Sequence, residues 1–159
     1  MHATGPIPPD QLHYGELVQF HYICPQTPVA LSHGPLRGVT ALACLDARVA
    51  PYADGSTFVK KVEGLPGDRV TARNGCVTIH RSNGQVVALG CVLSRAPDGR
   101  PVPFHEHWGA QGTRIPHGEW YASSTRVPQS YDSRYFGLVR SQQIIGTIQP
   151  IWTTAKQPF

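Results

Sequence analysis

A chain of 159 residues with 16 Gly, 15 Pro and 15% charged side chains fits one domain, 1–159, and favours short strands joined by tight turns over long surface helices. Its formal net charge of +4 includes no basic run longer than Lys60-Lys61, so nucleic acid is not expected as a partner. No stretch approaches the roughly 20 apolar residues that a membrane helix needs, and no charged-then-apolar leader opens the chain.

Residues 1–14, rich in Pro and polar side chains, read as an extended arm. After Gly15, the apolar and aromatic content of Glu16 to Ile23 predicts a buried strand. A loop rich in Pro, Gly, Ser and Ala runs to residue 55, with a short helix or an irregular strand near Val39 to Cys44. Phe58 to Glu63 is the next strand, Leu65-Pro66-Gly67-Asp68 a turn, and Arg69 to Ala72 a further strand. Val77 to His80 and Gln85 to Leu89 form a hairpin about Asn83-Gly84. Residues 93–115 are a long surface excursion. Glu119 to Ala122 and Phe136 to Val139 are strands bracketing a polar loop, and Ile144 to Trp152 is the last strand. The fold class is mostly β.

Four cysteines allow three pairings in an oxidising compartment, and none has CxxC spacing. A two-residue loop at Asn83-Gly84 sets Cys76 opposite Cys91, at a separation that suits a disulfide, and leaves Cys24 with Cys44. The alternative is four buried free thiols. His105-Glu106-His107 lacks the i, i+4 geometry of a hydrolytic zinc site and has no evident fourth partner, so neither metal nor cofactor is expected. Trp120, Tyr121, Tyr135 and Phe136 are assigned to the core.

The segment from Phe58 to Glu63 carries the chemistry. Strand alternation places Phe58, Lys60 and Val62 on one face and Val59, Lys61 and Glu63 on the other. Lys61 can pair with Glu63 in water, whereas desolvation among apolar neighbours pushes Lys60 towards its neutral form, which is a base. The local pattern also allows Lys60 to snorkel to the surface.

Lys60-Lys61-Val62-Glu63-Gly64-Leu65-Pro66-Gly67-Asp68 resembles the lysine box of type I signal peptidases. Ser130-Tyr131-Asp132-Ser133-Arg134-Tyr135-Phe136-Gly137 resembles the same family's C-terminal box, Pro116 to Tyr121 the Pro-x-Gly-aromatic strand leading into it, and Gly15-Glu16-Leu17-Val18 the strand shortly after the nucleophile. Within the family the chain is most similar to conjugative-transfer peptidases of the TraF type, through Cys24 in a strand-end Cys-Pro, its pairing with Cys44, and the closing Ile144-Ile145-Gly146 and Pro150-Ile151-Trp152-Thr153. Housekeeping leader peptidases carry Gly-Asp-Asn where this chain has Ser123-Ser124-Thr125.

The resemblance implies an antiparallel β-sheet catalytic domain with long loops, on the periplasmic side of the bacterial inner membrane. Lys60 is the implied general base, Ser130 orients its amine, and Asp132 with Arg134 forms a buried pair supporting the site. The implied substrate is the precursor of a pilin or another exported protein, matured for conjugation or type IV secretion. The family's nucleophile is a serine in a Ser-x-Pro segment, between a membrane anchor and the Gly-Asp strand. The first serine here, Ser32, is already beyond Gly15, and Gly5-Pro6-Ile7-Pro8-Pro9 resembles the family's segment immediately downstream of the nucleophile. The serine and the anchor are therefore expected upstream of Met1, with the chain as given inactive. The alternatives are a housekeeping leader peptidase and a noncatalytic scaffold of the same fold.

Overall fold

A computed structural model of the protein describes residues 2–4, 11–23, 28–30, 40–42, 55–93, 95, 99, 108 and 111–149. The strands are β1 His2–Thr4, β2 Leu17–His21, β3 Pro28–Ala30, β4 Thr40–Leu42, β5 Thr57–Gly64, β6 Arg69–Arg73, β7 Cys76–His80, β8 Val86–Cys91, β9 Thr113–Arg114, β10 Glu119–Ser123, β11 Val139–Arg140 and β12 Ile144–Gln149. One short helix, α1 Ser133–Phe136, and a 3₁₀ turn, Ser141–Gln143, complete the described elements. Every strand pair is antiparallel. A six-stranded sheet runs β1-β12-β2-β5-β10-β11, a four-stranded sheet β8-β7-β6-β9, and β3 pairs with β4. The fold is mostly β, as the composition predicts.

The larger sheet buries Val18, Phe20, Tyr22, Phe58, Val62, Trp120 and Ala122 against Tyr131, Tyr135 and Phe136. Their rings meet edge-on or stacked, as Phe20 with Phe58 at 6.0 Å and Phe58 with Phe136 at 6.0 Å. The smaller sheet has its own core of Val70, Val77, Ile79 and Leu89 with Trp108, Ile115 and Tyr121. Because successive side chains of a strand point to opposite faces, β10 serves both cores, Trp120 in one and Tyr121 in the other.

Gly64, the last residue of β5, lies against the core of the smaller sheet. A Cβ there would lie 2.8 Å from Ile115 Cδ1, 2.8 Å from Ile79 Cδ1 and 3.0 Å from Tyr121 Cβ. Gly64→Ala is expected to cost about 1–3 kcal/mol by overpacking. Urea denaturation checks this as a lowered midpoint at unchanged slope.

Three expectations shift. Phe136 to Val139 is not a strand: Asp132 caps α1 by accepting from the Arg134 amide, and Gly137, at φ 85°, ends it. Only Val139 and Arg140 pair with β10, because Phe136 is drawn into the aromatic core. The Asn83-Gly84 hairpin has three loop residues, Ser82 to Gly84, with Arg81 N donating to Gln85 O and Gly84 at φ 91°. Thr78 therefore opposes Ala88, one residue off the two-residue register, and a bulge before Cys76 restores the offset so that Cys76 opposes Cys91. His2–Thr4 of the arm is extended, as expected, and adds to the edge of β12, whereas Trp108 and Ile115 of the expected surface excursion are buried in the smaller core.

Candidate active site

Lys60 sits mid-strand on β5, opposite Val18 of β2 and flanked on its own face by buried Phe58 and Val62. Its Nζ lies 2.7 Å from Ser130 Oγ, to which it donates, and 5.6 Å from the centre of the Phe58 ring. Burial lowers the Lys60 pKa below its ordinary value; the nearby Asp132 carboxylate works against that and the Arg134 guanidinium with it. A half-buried amine held by one N–H against a hydroxyl has a restricted lone-pair direction, which a base requires.

Ser130 is buried where the loop after β10 returns to the sheet. Asp132 and Arg134 form a two-pronged ion pair, Nε to Oδ1 and Nη2 to Oδ2 at 2.9 Å each, with side chains 0% and 3% exposed. Asp132 also accepts from the amides of Ser124 and Arg134. Arg134 donates Nη2 to the Ser130 carbonyl at 3.0 Å and Nη1 to the Cys91 carbonyl at 3.2 Å. One guanidinium thus ties the serine facing Lys60 to its own box and to the end of β8.

All four side chains singled out in the sequence, Lys60, Ser130, Asp132 and Arg134, meet in one place. Two contributors carried no readable signal. Ser133 Oγ accepts from the Ala122 amide at 3.0 Å, where a bulge interrupts the pairing of β10 with β5. Cys91 contributes a backbone carbonyl, which any residue type could supply.

Lys61, on the opposite face, pairs with Glu63 at 3.7 Å, with the lysine partly exposed and the carboxylate largely shielded from water. The hairpin packs over Glu63, Arg81 reaches it at 3.1 Å, and burial raises the Glu63 pKa against the pull of both cations. Asp68, which ends the Gly-Leu-Pro-Gly-Asp turn, is fully buried and accepts from the Leu65 amide, the Ser82 amide and Tyr14 Oη. Arg81 lies 3.9 Å over the Tyr14 ring, and burial with the Asp68 bond raises the Tyr14 pKa to about 12. The turn is thereby pinned to the hairpin and to the entry of β2.

Cys76 and Cys91 are joined by a disulfide. Cys24, Cys44 and the His105-Glu106-His107 cluster lie outside the described residues.

Fold and site together define an antiparallel β domain built around a half-buried lysine–serine contact supported by an internal Asp–Arg pair. The chain belongs to the signal peptidase family, peptidase S26, whose model matches residues 9–153. It is 32% identical over 94 residues to signal peptidase I of Bacillus caldolyticus, covering 57% of this chain and 50% of that protein. To the conjugal transfer protein TraF of Agrobacterium fabrum it is 29% identical over 140 residues, 87% of this chain and 68% of the relative. To the plasmid transfer protein TraF of Escherichia coli it is 30% identical over 100 residues, 63% of this chain and 53% of the relative. The matches thus span about half the length of two of these relatives. A crystal structure of a signal peptidase I from Enterococcus faecalis V583 matches over 87% of this chain and 97% of that one at 19% identity and a TM-score of 0.42.

Proposed function

We propose that this chain is the catalytic domain of a Ser/Lys endopeptidase that removes the leader of an exported protein, with Lys60 as general base. The 2.7 Å contact of Lys60 with Ser130, at a lysine whose pKa is lowered by burial, carries the reading. Neutral Lys60 takes the proton of a seryl nucleophile as that oxygen attacks the scissile carbonyl, then returns it to the leaving amine. Ser130 accepts one N–H of Lys60 and so aims its lone pair, while Asp132 and Arg134 hold Ser130 in place. The nucleophile is assigned to a segment preceding Met1, together with a membrane anchor on the periplasmic side of the inner membrane.

The substrate proposed is the precursor of a pilin used in conjugation or type IV secretion. The similarity to two conjugal or plasmid transfer proteins, one of them over 87% of this chain, supports a role in conjugative transfer. The test is cleavage by the natural coding sequence extended upstream of Met1. That protein is expected to cut a propilin peptide with small residues one and three places before the scissile bond. A folded, extended protein that cuts neither propilin nor a general leader peptide would favour a noncatalytic scaffold, and cleavage of general leaders alone would favour a housekeeping role.

A further inference from the structure

Arg134 connects the Lys60 site to the Cys76–Cys91 disulfide. Its Nη1 donates to the carbonyl of Cys91, while Nη2 of the same planar group donates to the carbonyl of Ser130. The strand end that offers Cys91 lies past a bulge in the ladder. Beyond the bulge between Thr78 and Cys76, pairing of β7 with β8 continues as the Cys76–Cys91 pair, and Val92 N donates to Gly75 O at 2.9 Å. Gly90, at φ 85°, turns the strand beside Arg134, where a Cβ would come within 3.3 Å of Nη1. Two residues beyond Cys91, Leu93 N donates to Tyr135 Oη at 2.7 Å, so the same short segment grips the box on both sides of Val92. Both cysteines are exposed, which leaves the bond open to exchange.

We propose that the Cys76–Cys91 disulfide is a positioning element of the Lys60 site, fixing the Cys91 carbonyl so that Arg134 can hold Ser130 against Lys60, and that the site is fully set only in the oxidised chain. This rests on the reading of Lys60 and Ser130 as the base and its orienting partner. A small dithiol reverses the state by thiol–disulfide exchange. Its two thiols close to a disulfide, and their two electrons and two protons leave Cys76 and Cys91 as thiols. The end of β8 then keeps only hydrogen bonds such as those of Val92 N to Gly75 O and Leu93 N to Tyr135 Oη, the Cys91 carbonyl becomes a less rigid acceptor for Arg134, Ser130 loosens, and water reaches Lys60.

The chain contains only Lys60, Lys61 and Lys156 as lysines, so the Cε resonances of a [¹³C]lysine-labelled sample can be titrated individually. In the 159-residue chain the Cys76→Ser/Cys91→Ser variant is expected to raise the Lys60 midpoint by about one unit, a tenfold loss of neutral amine near pH 7, with Lys61 unmoved. In the extended protein kcat should fall by a similar factor, KM should change little, and the rising limb of the pH–rate profile should shift upwards. An unchanged Lys60 midpoint in the folded double variant overturns the proposal. If that variant does not fold, dithiol reduction of the folded parent, with thiol formation at both cysteines verified, replaces it and is judged by the same midpoint. Should the midpoint shift while the extended parent cleaves nothing, the coupling stands and the peptidase reading fails. Should the parent cleave and neither midpoint nor pH profile move, the coupling alone fails.

Discussion

Lys60→Ala is expected to abolish measurable cleavage by the extended protein, whereas Lys61→Ala keeps most of it. General-base catalysis contributes about 10²- to 10⁴-fold, so a simple end-point assay of the two variants resolves the difference. The two lysines are neighbours in sequence, yet alternation along β5 sends Lys60 to Ser130 and Lys61 to Glu63. Equal loss in both variants would sink the assignment. The rate should rise with pH as Lys60 deprotonates, below the ordinary lysine value of 10.5. The same shift sets the sign for stability: between the lowered folded pKa and the ordinary one, the unfolded chain binds the extra proton, so stability rises with pH across that window. Lys60→Met, which keeps the stem and removes the charge, is therefore expected to be more stable than the parent at neutral pH, and the advantage should shrink as pH climbs towards the lysine range. Thermal or urea denaturation at two pH values reads this directly, and a less stable Lys60→Met at neutral pH would contradict it.

Asp132→Ala should produce the largest loss of stability among single substitutions at the site, about 3–5 kcal/mol, because it strands the buried Arg134 guanidinium. The carboxylate is fully buried, makes both prongs of the ion pair, and accepts the amides of Ser124 and Arg134 as well. The Ser130 and Cys91 carbonyls still receive Arg134 in the variant, which places the loss towards the lower end of that range. Asp132→Asn retains an acceptor oxygen and the capping geometry, and should lose less. Urea midpoints of the two variants check the order; a midpoint unchanged in Asp132→Ala would mean that the pair adds nothing net.

Features that repeat locally were legible in the sequence. Period-two alternation assigned the faces of β5 and separated Lys60 from Lys61, whereas the pairing of Asp132 with Arg134 followed from the resemblance and forms between the cap and the first turn of a helix. The helical turn at Ser133–Phe136 was missed because Asp132 serves two roles at once, capping the turn and binding the arginine, and a strand pattern of apolar residues cannot distinguish them. The Cys76–Cys91 bond was anticipated from a two-residue loop, yet it forms through a three-residue loop and a bulge that shift the register in opposite senses.

By itself, then, the sequence determined the β class, the alternation on β5 and the family to which the boxes belong, since each depends on neighbours a few residues apart. The resemblance implied that Ser130, 70 positions from Lys60 along the chain, orients its amine, but the tertiary structure alone set their 2.7 Å contact and decided that Arg134 reaches the carbonyl of Cys91. It also decided that Glu63 leaves water and that Asp68 gathers the turn, the hairpin and Tyr14. The physical reason is that desolvation, which sets the charge state of a lysine and the worth of an ion pair, depends on what packs over a group from distant strands; backbone carbonyls, which complete the site, carry no side-chain signature at all.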